Sequence, residues 1–169
     1  MKFSIKLIAA TILTSMTTVA MATENTALSN LGLSFSGSAA ITSDYRFRGI
    51  TQTQNDPAIQ AGFTLAHTSG LYFGLWGSNV DFGEDSPSLE LDPSLGFATN
   101  LSSLPGKPLL DVGVLYYNYP SDSDLNWVEL YGKLGFKDAI ISGDNILTNV
   151  NYTNDYAGLD GDSWNFNVG

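Results

Sequence analysis

The sequence predicts an all-β protein: an antiparallel, up-and-down transmembrane β-barrel preceded by a signal peptide. Three observations lead there. Strand-length runs alternate apolar with polar residues, the chain opens on an export signal, and a cysteine-free composition carries many more acids than bases. The clearest run is Leu89-Glu90-Leu91-Asp92-Pro93-Ser94-Leu95-Gly96-Phe97. Leu89, Leu91, Leu95 and Phe97 point one way, and Glu90, Asp92, Ser94 and Gly96 the other, which is the period of a pleated strand. A tilted strand of about 9–11 residues is long enough to cross a bilayer.

The first element is the signal peptide, residues 1–22. Lys2 and Lys6 form its positive start, Leu7 to Val19 its apolar stretch, and Ala20-Met21-Ala22 a small-x-small cleavage pattern that makes Thr23 the mature N-terminus. The alternative, an uncleaved anchor, needs a longer and less polar segment. Cleavage takes Lys2 and Lys6 from the seven basic residues and none of the seventeen acids, so the formal net charge moves from −10 to −12. Such a surface repels nucleic acid. Without cysteine there is no disulfide framework and no thiolate metal site. No other segment reaches 18 consecutive apolar residues, which argues against an inner-membrane helical protein.

Residues 23–32 read as a loose leader, and 33–169 as one barrel domain of about eight strands. The strands are expected at 33–43, 57–66, 71–81, 88–98, 109–119, 127–136, 139–150 and 163–169, joined by segments rich in Gly, Pro, Asp, Asn and Ser. In 127–136, Val128, Leu130, Leu134 and Phe136 share one face, while Glu129 and Lys133 share the other, able to pair diagonally or across a lumen. Residues 139–150 alternate poorly.

The connections, taken alternately, form two sets. Segments 44–56, 82–87, 120–126 and 152–162 carry Asp44, Asp56, Glu84, Asp85, Asp122, Asp124, Asp155, Asp160 and Asp162. Segments 67–70, 99–108 and 137–138 carry Lys107, Lys137 and the single acid Asp138. Up-and-down strands put alternate connections at opposite ends, so one rim is expected to be acidic. Longer loops of outer-membrane barrels face outside, which places the acidic rim there. The competing explanation, that acids merely mark turns, leaves their absence from alternate connections unaccounted for.

The stretch Ser43-Asp44-Tyr45-Arg46-Phe47-Arg48-Gly49-Ile50-Thr51-Gln52-Thr53, followed by Pro57-Ala58-Ile59-Gln60-Ala61-Gly62, resembles the leading motif of the TorF family of bacterial porins. Trp76-Gly77-Ser78-Asn79-Val80-Asp81-Phe82 looks like that family's Trp-x-Ser-x-Val-Asp block, and Leu89-Glu90-Leu91-Asp92 like its Glu-x-Asp strand. Asp111 to Pro120 and Asn126 to Tyr131 complete the series, which spans residues 36–136. The resemblance implies an outer-membrane barrel acting as a porin, and it speaks to class rather than to substrate. Relatives look longer, and outer-membrane barrels commonly finish on a strand ending in Phe or Trp, whereas this chain ends on Gly169. The expectation is therefore a barrel lacking C-terminal strands.

Candidate pore-lining residues are the charged groups expected on wet faces: Arg46, Arg48, Glu90, Asp92, Asp111, Glu129 and Lys133. Charged rings at a constriction select ions, and here acids outnumber bases, which favours cations. The alternative is an ion-pair network filling a narrow interior, since eight strands leave a lumen just wide enough for side chains. Tyr72, Trp76, Tyr116, Tyr117, Tyr119 and Trp127 are expected at interfacial girdles. The same aromatics could instead build a sandwich core or stack on sugars.

No enzyme and no cofactor is expected. The sole histidine, His67, sits before the tight turn Thr68-Ser69-Gly70, and no Gly-x-Ser-x-Gly elbow frames a nucleophile. Asp81, Glu84 and Asp85, and Asp160 and Asp162 around Gly161, suggest calcium by their oxygens but lack the EF-hand spacing, so no metal is expected. The leading expectation is an outer-membrane pore for small solutes. Its partners would be outer-membrane lipid, lipopolysaccharide and the barrel-assembly machinery. The rivals are a plugged structural or adhesive barrel and a periplasmic carbohydrate-binding β-sandwich.

Overall fold

Alternation forces a choice of face on every strand, and the fold is one sheet whose two faces are chemically opposite. The computed structural model describes residues 17–18 and 26–169. The expected signal peptide lies outside these, apart from Thr17–Thr18 (β1). A single helical turn, α1 (Thr26–Asn30), occupies the expected leader. The strands follow: β2 (Leu33–Thr42), β3 (Arg46–Phe47), β4 (Ile50–Thr51), β5 (Ala58–His67), β6 (Leu71–Asn79), β7 (Leu89–Asn100), β8 (Leu109–Tyr117), β9 (Trp127–Lys137), β10 (Asn145–Thr153) and β11 (Ser163–Val168).

The main sheet runs β1-β2-β5-β6-β7-β8-β9-β10-β11, every neighbouring pair antiparallel, and β3 pairs only with β4. Eight long strands thus form an up-and-down meander in sequence order. Among the described residues the sheet is open: β2, met only by Thr17–Thr18, and β11 are its edges, and no pairing joins them. The closed barrel expected from the sequence is therefore seen here as an open sheet.

Seven of the eight expected strands begin within one residue of the observed start. The exception is 139–150, which begins at Asn145. The Asp144 carboxylate accepts the backbone N–H groups of Ala139, Ile140 and Ile141 at 2.6, 2.8 and 3.1 Å, and Asp138 accepts that of Gly143 at 2.6 Å. Backbone donors used in this way are withdrawn from any ladder, and the poor alternation of that stretch is the turn itself. The turn also brings Asp144 to the end expected to be poor in acid.

Pro93 lies inside β7, paired on one side with Leu75 of β6. On the other side the ladder with β8 starts only at Ser94, opposite Leu115. Proline has no N–H to give, so the ladder is interrupted beside it, and it resumes where the Leu91 N–H donates to the Asn118 carbonyl at 2.8 Å.

Burial identifies the faces. Outward, Leu71 pairs with Phe97, Phe73 with Leu95, Phe97 with Val112 and Val150 with Phe166. This belt is exposed, with Leu95 at 56% and Phe166 at 72%. Inward, Glu90 and Glu129 are each 1% exposed, and Ser78, Asp92 and Tyr131 are buried beside them. In water such a distribution would be inverted.

The concave face and its inward hairpin, a candidate functional site

All four longer connections leave from one end of the meander, and they touch one another there. The Asp81 N–H donates to the Gln52 carbonyl at 2.7 Å, the Phe82 ring meets Tyr119 at 5.6 Å between centroids, and Gly158 lies so close on the Asp124 carbonyl that a Cβ there would collide with it. The acidic set expected from alternate numbering is thus gathered on one rim. There the Gly83 N–H and the Gln54 amide, at 2.9 and 2.7 Å, hold the Asp81 carboxyl below its usual range. Those bonds shape the loop, and among the described residues no three acidic or histidine side chains converge as a metal site.

Segment 43–57 does not extend outward. It folds into the hollow of the sheet as a short hairpin, with Arg46 opposite Thr51 and Phe47 opposite Ile50. Its tip, Arg48-Gly49, has both residues at positive φ, 49° and 87°, the signature of a tight hairpin turn that normally takes Asn-Gly. Asp44 is the hub of its base. Its Oδ1 accepts the Thr51 hydroxyl at 2.6 Å and that of Thr53 at 3.2 Å, and its Oδ2 pairs with Arg46 Nε at 2.7 Å. The Thr51 hydroxyl first, and Arg46 after it, keep this carboxyl below the ordinary carboxylate range.

Arg46 and Arg48, both candidate pore-lining residues, part company. Arg46 stays within the loop, bonding also to the Gly49 carbonyl at 3.2 Å and to Asn55 Oδ1 at 2.9 Å. The positive φ of Arg48 breaks the alternation and sends its guanidinium across the hollow to Glu129 on β9. Laid flat, β5 and β9 would stand about 19 Å apart at the usual strand spacing, so this ion pair spans a curled sheet.

Glu129 is built to receive it: Asn151 donates to Oε1 at 2.5 Å, and the Tyr117 hydroxyl lies 3.4 Å from the same oxygen. The guanidinium carbon stands 4.6, 5.5 and 5.8 Å from the ring centroids of Phe47, Tyr156 and Trp127, a cation–π cage. Trp127 stacks on Tyr117 at 4.0 Å and 8° between planes, and Phe47 meets both rings edge-on.

Glu129 and Lys133 therefore do not pair with each other. Lys133 stands 3.7 Å from Asp111 and 4.3 Å from the Tyr131 ring centroid. Glu90 and Asp92 lie two residues apart on the inner face; Tyr119 donates to Glu90 at 3.1 Å and the Asn118 N–H to Asp92 at 3.4 Å. Neither enters any of the three ion pairs among the described residues.

The girdle assignment also needs correction at five of its six residues. Tyr117, Tyr119 and Trp127 are buried on the inner face, Trp76 packs there on Tyr45, and Tyr72 sends its hydroxyl to Asp111 at 2.6 Å. Three of these rings pack on the hairpin there, Trp76 on Tyr45 and both Tyr117 and Trp127 on Phe47. His67 lies at the opposite end, its Nδ1 accepting the Ser69 N–H at 3.1 Å.

A family model described as a bacterial protein of unknown function matches residues 26–166. The chain belongs to this family, Gcw_chp. No curated protein and no solved structure matches. The Gcw_chp match begins at α1 and ends within β11, so the inner hairpin, the carboxylates and the aromatic cage all lie inside it.

Proposed function

We propose that this Gcw_chp chain is an outer-membrane porin, of the kind the TorF resemblance implies, passing small solutes with a preference for cations. It reaches the membrane through its cleaved signal peptide. There the sheet closes into a barrel, because hydrocarbon offers no partner to an open strand edge. Outer-membrane lipid and lipopolysaccharide would contact the belt, and the barrel-assembly machinery would insert it. The observation that carries the reading is the inverted polarity of the sheet. Leucine and phenylalanine face out at Leu95 and Phe166 while carboxylates are buried inside at Glu90, Asp92 and Glu129, as a lipid-facing belt around a polar lumen requires.

Charge accounting supports the cation preference. Arg48 is matched by Glu129 and Lys133 by Asp111, which leaves Glu90 and Asp92 on the inner face as carboxyls without a basic partner. The acidic rim adds to this field, and salt screens it over about 10 Å at 0.1 M. Reversal potentials across a potassium chloride gradient in a planar bilayer test the proposal. Cation selectivity that fades as salt rises is expected, and anion preference would overturn the assignment of charge.

One observation favours a second reading, the plugged structural barrel: the hairpin occupies the hollow. A folded, membrane-inserted protein that passes no current would establish it. The carbohydrate-binding sandwich would need the Leu95 and Phe97 face as its packed core, and that face is the exposed one.

A further inference from the structure

We infer that the 43–57 hairpin is a displaceable plug, latched across the lumen by the Arg48–Glu129 ion pair. The inference rests on the porin reading and adds a gate to it. Four features of the hairpin support it.

The hairpin is a self-contained unit. The Asp44 hub, with Thr51, Thr53 and Arg46, ties its two arms together without help from the sheet. It therefore keeps its shape when it moves.

Its base and its tip are held differently. The base is joined through backbone to the β6–β7 connection, by Asp81 to Gln52 and by the bridge between Thr53 and Asp81, and Tyr45 anchors it by packing on Trp76. The tip reaches the far wall through two side chains only: Phe47 against Tyr117 and Trp127, and Arg48 against Glu129 within the ring cage.

The tip is not packed on its other sides. A Cβ placed on Gly49 would meet no atom within 4 Å, and Ile50 is 64% exposed. The hairpin narrows the hollow and leaves room beside it.

Finally, the closed position holds Arg48 in the left-handed region that long side chains rarely adopt. Displacement would relieve that strain and rehydrate both charges, whereas closure satisfies them against each other. Two competing arrangements of this kind make a bistable element.

The test compares wild type with Arg48→Ala, Glu129→Gln and the double variant, each reconstituted in planar bilayers. Each single change should raise the occupancy of the larger conductance level about tenfold, the effect of losing about 1.4 kcal/mol. The double variant should do no more than either single one, since both remove the same pair. Effects that add, or conductance identical to wild type, would overturn the latch and leave the pore standing.

A second readout needs no current. Chains bearing Leu115→Cys, beneath the hairpin, would be labelled with a water-soluble maleimide; the natural chain has no cysteine. Adding Arg48→Ala should speed labelling about tenfold, by the same shift of the opening equilibrium. Unchanged labelling overturns the latch. Faster labelling in a chain that never conducts keeps the latch and overturns the porin reading instead.

Discussion

Tyr72 lies across Gly96, its register partner on the neighbouring strand, and reaches over it to Asp111 on β8. From the other side Tyr131 lies across Gly113, and the two tyrosine hydroxyls meet. A Cβ on Gly96 would stand 2.7 Å from Tyr72 Cε1, so the absence of a side chain is what lets the phenol cross.

Gly96→Val should therefore displace Tyr72 and break its bond to Asp111, at a cost of about 1–3 kcal/mol, as overpacking usually does. Gly132→Ala is the control, because its Cβ would have nothing nearer than Val150 at 3.7 Å. Urea unfolding of the reconstituted protein measures both. Equal losses would mean that the tyrosine bridge contributes nothing.

Leu95→Arg discriminates lipid from water around the belt. An exposed leucine in water accepts arginine almost freely, whereas at the bilayer midplane the change costs about 2–4 kcal/mol. Leu91→Arg, on the same face, should behave alike, and arginine at Ser94, on the inner face, should be tolerated. Folding yield into lipid vesicles reads the difference.

The acidic rim predicts topology. Single cysteines at Asp85, Asp122 and Asp160 should react on intact cells with a membrane-impermeant reagent, and one at Lys107 should not. The reverse pattern would turn the protein over.

The turn at Asp144 predicts a pH response at the other rim. The N–H of Ile141 foremost, with those of Ile140 and Ala139, holds this carboxyl below its usual value. The unfolded chain then binds the proton more readily, so the stabilisation is complete above about pH 4. It is lost as the pH falls through the lower folded value. Hydrogen-exchange protection factors at residues 139–141, corrected for the intrinsic pH dependence of exchange, should fall on acidification, and Asp144→Asn should abolish that dependence.

Period-two alternation by itself determined the eight strands, their order as a meander, and the facing of Leu89, Leu91, Leu95 and Phe97 away from Glu90 and Asp92. Alternation is a local property of a pleated backbone, and hairpin connections of this length pair neighbours in order. The false start at 139 was also local: its poor alternation was visible, and the Asp138 and Asp144 side chains at its ends carried the turn signal.

The site was only half legible. Glu129 and Asp111 could be placed on the inner face by counting in twos, and the same count from Asp111 reaches Leu115 and Tyr117. Nothing in the spacing tells that Arg48 leaves its own loop to meet Glu129 across 81 positions of chain, or that Phe47, Trp127 and Tyr156 enclose it. That meeting depends on how far the sheet curls and on a hairpin turning inward, both set by packing between residues distant in sequence. The tertiary structure alone decided which charges are matched, which rings enclose Arg48 and what occupies the hollow.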